Sequence, residues 1–193
     1  MARLALPLLT PRLALRDFLA DDLPAVRRYA LDPRVLAHVL QEMKTEEDLT
    51  RHFSAVLNAR AHRPRRAYEL AVIVRRSGAL IGTCELTRTA TGTAEIGYLL
   101  ARRYWGRGYG TEVATALRDA AFRDLGAVRL RALIAIDNEA SRRVLVKAGL
   151  RWAALRRRHT HAKGRFWDCD EYELLRSDWL GAAPPAPAAG GSR

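Results

Sequence analysis

The stretch A-E-I-G-Y-L-L-A-R-R-Y-W-G-R-G-Y-G-T-E, Ala94 to Glu112, decides how this chain is read. Its first seven residues read as a strand. At its end W-G-R-G-Y-G-T-E is a glycine-rich turn that opens a helix. Gly106, Gly108 and Gly110 let the backbone approach another group closely, because no Cβ stands in the way. The helix that follows leaves its first N–H groups unpaired and carries partial positive charge there. Such a turn is a receptor for phosphate, and Arg102, Arg103 and Arg107 add formal charge beside it. Two common phosphate loops do not fit. No Lys-Ser or Lys-Thr follows these glycines, which excludes a P-loop. The spacing G-x-G-x-G puts Thr111 where a dinucleotide fingerprint requires its third glycine.

Outward from the turn, the pattern alternates between strand and helix. The helix runs to about Leu125, with Val113, Leu117, Ala120, Ala121 and Leu125 at helical spacing and Gly126 as its stop. Val128 to Ile136 is a buried-looking strand, Asn138 to Ala148 a second helix, and Gly149 its stop. Leu150 to Arg157 and Phe166 to Leu175 follow, around a turn near Lys163-Gly164. On the other side, Tyr68 to Arg75 and Leu80 to Thr87 form a hairpin, and Arg12 to Arg16 alternates as a first strand. Asp21-Asp22-Leu23-Pro24 signals a helix start. Asp32-Pro33 breaks that helix, with a short one following to Leu40. Thr45 to Asp48 is close to a capping box for a helix to about Ala61. Residues 1–10 read as a loose lead-in. Strands first, then strand–helix–strand–helix, predict a mixed α/β sheet of about seven strands in one domain over residues 1–181. The Ala/Pro/Gly tail, 182–193, has nothing to bury and is expected to be disordered.

This series resembles the GNAT superfamily of acyl-CoA N-acyltransferases, and within it the RimJ/RimL-like branch. The resemblance is carried by Glu95-Ile96-Gly97-Tyr98, by Trp105 to Glu112, by Asn138 with Ser141, Val144 and Gly149, and by Gly164 to Trp179. It spans about Thr10 to Trp179. Trp105 departs from the Gln or Arg usual in the general GNAT loop, a change the branch tolerates. The resemblance implies a three-layer fold whose two central parallel strands splay apart to hold the pantetheine arm of acetyl-CoA. It implies metal-free transfer of an acetyl group to a primary amine. By analogy with the branch, that amine is a protein N-terminal α-amine, and the assembly a homodimer.

The resemblance also assigns roles. A backbone N–H near Leu99 or Leu100 polarises the thioester carbonyl, and amides from Trp105 through Gly106, Arg107, Gly108, Tyr109, Gly110 and Thr111 hold the pyrophosphate. Glu95 shares a strand face with Gly97 and Leu99 and is the candidate base; the alternative is an exposed or ion-paired strand residue. Glu85, on the neighbouring strand, is the runner-up. Ser141 would donate a hydrogen bond to the departing thiolate, or is a small packing residue. Asn138 would bind pantetheine amides, or is a plain N-cap. Arg142, Arg143 and Lys147 are candidates for the 3′-phosphate of CoA. An α-amine near pKa ~7.7–8.0 asks less of a base than a lysine or polyamine at ~10.4. A small-molecule amine (an antibiotic, polyamine or amino-acid derivative) is the rival acceptor, favoured by a deep acidic pocket.

The 193 residues carry a formal net charge of +12, mostly arginine spread along the chain. Such a balance fits a positive field that draws in a polyanionic cofactor, or a simple preference for Arg over Lys. A basic ribosome- or nucleic-acid-binding module is the reading of another class, but aromatics are 7% and no basic region alternates with them. Cys84 and Cys169 form no CxxC pattern, which points to packed thiols in a reducing cytoplasm. No run suits a membrane span. His159 and His161, placed in a loop, lack a third ligand. Trp167 and Tyr172 are expected in the core or along the acceptor cleft.

Overall fold

A computed structural model describes residues 3–40, 45–62, 64–89 and 91–181; the expected tail lies outside them. One sheet of eight strands organises these residues, in the order β1-β2-β3-β4-β5-β6-β8-β7. Strands β1 (Leu8–Leu9), β2 (Leu13–Asp17), β3 (Ala67–Val74), β4 (Leu80–Arg88) and β5 (Thr93–Leu100) are antiparallel neighbours. Strand β6 (Arg129–Ala135) joins β5 in parallel, and β8 (Arg165–Leu175) lies between β6 and β7 (Arg151–Ala162). The eighth strand is Leu8–Leu9, inside the expected lead-in. Two residues are too short to show an alternation, yet Leu8 and Leu9 pair with Leu15 and Ala14.

Helices α1 (Leu23–Ala30), α2 (Pro33–Leu36) and α3 (Glu46–Ala59) lie on one face. The apolar sides of α1 and α3 meet Ala71 and Ile73 of β3 through Val26, Tyr29, Leu49 and Phe53, with Phe18 from the segment after β2 among them. Helices α4 (Tyr109–Arg123) and α5 (Glu139–Lys147) cover the other face. There Val113, Leu117 and Leu145 pack with Leu13, Leu70, Leu86 and Ile96. Strand β3 is buried on both faces, which is why A-V-I-V reads as a continuous apolar run. A third cluster, Ala135, Ala162, Trp167 and Cys169 with Leu40 and Leu133, closes the far end.

Local signals explain most boundaries. Thr45 and Asp48 make a reciprocal capping box at α3. Asp22 does not cap α1 with its side chain. That carboxylate instead holds Arg16 (2.6 Å) and the Leu19 N–H (2.8 Å), closing a 3-10 turn over Ala20–Asp22. Helix α6 (Arg176–Gly181) was not expected. It forms because Trp179 stacks on Phe122 and donates its indole N–H to Asp119 at 2.9 Å. His159 and His161 lie on β7, not in a loop. Among the described residues no helix is long and apolar enough to cross a membrane.

The feature that positions the site is a fork. Strands β5 and β6 pair only at Thr93–Arg129, Ala94–Leu130 and Glu95–Arg131. Beyond Glu95 they part, while β4 follows β5 to Leu100 and β8 follows β6 to Ala135.

Candidate active site

The fork opens into a cleft of about 970 Å³. Its walls include Leu99 and Leu100 of β5, the turn before α4, and the start of α5. The Ala101 N–H bonds the Ile81 carbonyl at 2.8 Å. Alternation along an antiparallel ladder turns the Leu99 amide the same way, toward β4. The amides of Tyr98 and Leu100 therefore point into the fork, so of the two expected carbonyl donors Leu100 has the open direction.

The glycine turn is built to receive an anion. Gly106 and Gly108 stand at φ 72° and 78°, a left-handed conformation that side chains rarely adopt. Gly108 is the N-cap of α4 and supplies no side chain to its first amides. Glu112 sits in that first turn, where its charge would repel phosphate. It is held instead by the Thr10 hydroxyl (2.5 Å), the Arg12 N–H (2.8 Å) and the Arg12 guanidinium (2.6 Å). Partial burial pushes the Glu112 carboxyl up, but these donors outweigh it and hold it below the usual range.

Trp105 explains its own departure from the usual loop. Its indole N–H donates to the Leu100 carbonyl at 2.7 Å, tying the turn to the end of β5. Its backbone N–H bonds the Arg102 carbonyl and is not free for a ligand. Gly106, Gly108, Tyr109, Gly110 and Thr111 line the cleft; Arg107 does not, its carbonyl bound to Arg12 and its guanidinium over Tyr104.

At α5 the N-cap reading of Asn138 holds: its carbonyl oxygen accepts from the Ser141 N–H at 3.1 Å. Both residues line the cleft. Beside Ser141 lies the buried Tyr98 hydroxyl, with the Ser141 hydroxyl as its polar neighbour. Burial pushes this phenol up to about 12, with the Ser141 hydroxyl opposing. These polar groups on the cleft wall, with the uncapped turn above them, fit the amides and diphosphate of a CoA-type cofactor. Arg142 is paired with Glu139 (3.0 Å), whereas Arg143 and Lys147 face the cleft without a carboxylate among the described residues.

The opposite wall is acidic. Glu95 closes the paired part of the fork, bound by Arg131 at 2.8 Å, so the ion-paired alternative describes its ground state. Glu85 lies opposite Gly97 on β5 and opposite Glu69 on β3, all on one face. A Cβ on Gly97 would stand 3.9 Å from the Glu85 carboxylate, so glycine leaves the space above that carboxylate open. His52 of α3 holds Glu69 at 3.0 Å. Burial, reinforced by Glu69 and Glu95 and opposed by His52, pushes Glu85 up to about 7. Glu69 and His52 were missed from sequence, because strand register brings Glu69 opposite Glu85 and the docking of α3 on the sheet brings His52 to Glu69. Tyr172 and Trp167 are core residues, and Cys84 and Cys169 are free, buried thiols.

The family described as the acetyltransferase (GNAT) domain matches residues 12–151. The chain is 30% identical over 176 residues to the uncharacterized N-acetyltransferase p20 of Bacillus licheniformis, covering 90% of this chain and 98% of that one. It is 25% identical to a solved GNAT-family acetyltransferase from Bacillus anthracis, with TM-score 0.77 over 88% of this chain and 98% of that one. The fold is shared with Mycobacterium smegmatis RimJ, solved in complex with CoA-disulfide, at 22% identity and TM-score 0.74 over 86% and 83% of the two chains. A parted parallel pair, an amide-rich turn at its mouth and these relatives agree: the chain belongs to the GNAT acetyltransferase family and transfers an acetyl group from acetyl-CoA to an amine.

Proposed function

We propose that the acceptor is the N-terminal α-amine of a protein or peptide, and that Glu85 receives its proton. The observation that carries this reading is the Glu85 carboxyl, raised to about 7 on an open stretch of the cleft wall. A base of that strength is matched to an ammonium at ~7.7–8.0 and sits about three units below one at ~10.4. The amine nitrogen attacks the thioester carbon, the carbonyl oxygen takes the Leu100 N–H, and the carbon–sulfur bond breaks. Before the attack the ammonium gives one proton to Glu85, directly or through a water; the second leaves the attacking nitrogen as the carbon–sulfur bond breaks and ends on the departing sulfur. Ser141, with Tyr98 behind it, donates to the sulfur that leaves. Glu95, tied to Arg131, adds negative charge to the wall that the incoming ammonium meets.

The acidic wall of Glu69, Glu85 and Glu95 also favours a second reading, a small polycationic amine. Initial rates on an N-terminal peptide panel and on a diamine and polyamine panel separate the two. The α-amine reading requires higher kcat/KM on peptides, abolished by blocking the N-terminus. Turnover of polyamines alone would overturn it.

A further inference from the structure

Strand β7 carries an insertion at the rim of the cleft. Its ladder with β8 places Arg156 opposite Cys169 and resumes at Thr160 opposite Trp167. Arg157, Arg158 and His159 therefore face Asp168 alone and bulge out of the sheet. The bulge is firmly held. Arg158 stands at φ 47°, a conformation that non-glycine residues keep only when the surroundings impose it. Its N–H donates to Asp168 at 2.7 Å, and its guanidinium lies 4.0 Å over the Phe166 ring.

All three bulge residues are exposed. Arg156 is committed to the buried Glu171 at 2.6 Å. The guanidinium groups of Arg157 and Arg158 have no carboxylate partner among the described residues. Arg165, over the Trp167 ring at 3.6 Å, adds a third such charge on the same hairpin. His159 and Thr160 line the cleft, and Lys163 ties the hairpin to the Leu36 carbonyl of α2 at 2.5 Å. The cleft thus has glutamates on one wall, and the bulge arginines lie next in the chain to His159 at its edge. An acceptor with an ammonium at its tip and carboxylates behind it satisfies both.

We propose that the Arg157–Arg158 bulge binds acidic side chains downstream of the acceptor amine, so that the enzyme selects acidic N-terminal peptides. The inference rests on the α-amine reading above. Two exposed ion pairs at a rim are worth about a tenfold preference together, and salt screens them, since the Debye length falls from ~10 Å at 0.1 M to ~3 Å at 1 M.

The test uses the full chain with acetyl-CoA and short peptides that share a first residue and continue with Glu, Gln or Lys. The expected result is about tenfold higher kcat/KM for the Glu peptide than for the Lys peptide, carried by KM and reduced by added salt. The double variant Arg157→Glu/Arg158→Glu should reverse the order. The salt dependence of the wild-type preference needs no variant to fold. Equal rates on the three peptides would overturn the inference and leave the α-amine reading standing. Acetylation of polyamines but of no peptide would overturn both. A Glu preference untouched by salt and by charge reversal would also overturn it, as would binding of the bulge to a single-stranded RNA probe without any peptide preference.

Discussion

Protonation at one carboxylate governs the chemistry. Glu85 is the acidic group on the cleft wall that is raised to about 7, and the cause is burial first and the facing Glu69 second. The base form is the deprotonated one, so kcat/KM should rise with pH through about 7. Glu85→Gln should remove that limb and leave only the amine's own titration, with a loss of about 10²-fold or more in kcat/KM at neutral pH; a pH–rate profile reads both. An unchanged profile would pass the proton to Glu95 or to water. The same shift has a cost for folding. A carboxyl raised in the folded state contributes stability below its unfolded pKa, which is lost as pH rises toward 7. Ser141→Ala should lower kcat with little change in CoA affinity, and a normal kcat would return Ser141 to the packing role.

Among the elements, the turn into α4 is the one that binds. Gly108→Ala would force a Cβ into φ 78° and against Arg12 at 3.3 Å. A penalty of about 1 kcal/mol should appear as CoA binding weakened about fivefold, measured by isothermal titration. The turn is also held from behind, because Arg12 and Thr10 reach it from the β1–β2 hairpin through Glu112. The Glu112 carboxyl is held below its usual range, so its contribution is present above the unfolded carboxylate pKa and is lost as pH falls through the lower folded value. Arg12→Ala should therefore loosen CoA binding although Arg12 lies in another element.

For the whole molecule, a charge network around one buried carboxylate ties together the three strands beyond the fork. Glu171 is 1% exposed in its side chain and bridges Arg129 of β6 and Arg156 of β7. Glu171→Ala would leave Arg129 with Glu173 alone and Arg156 without its carboxylate, over a void. With both arginines partly solvated, the expected cost is about 2 kcal/mol, or roughly 5 °C in Tm by thermal unfolding. A shift under 1 °C would place the pair among surface contacts without consequence.

What the sequence by itself determined was local: the strand before the turn, the glycines with left-handed φ, the capping box at Thr45, the periodicity of α4 and the stop at Gly126. Each depends on neighbours within a few residues, and the glycine spacing with Asn138 and Ser141 was enough to reach the family and its cofactor. Tertiary structure decided what depends on register across distant strands. Register paired Glu95 with Arg131, set Glu69 opposite Glu85 and lifted Arg157 to His159 out of the ladder, and helix docking brought His52 to Glu69 and Ser141 to Tyr98. A carboxylate's proton affinity is the sum of burial and nearby charge. The chain order of Glu85 and Glu95 contains neither quantity, and only the folded sheet supplies them.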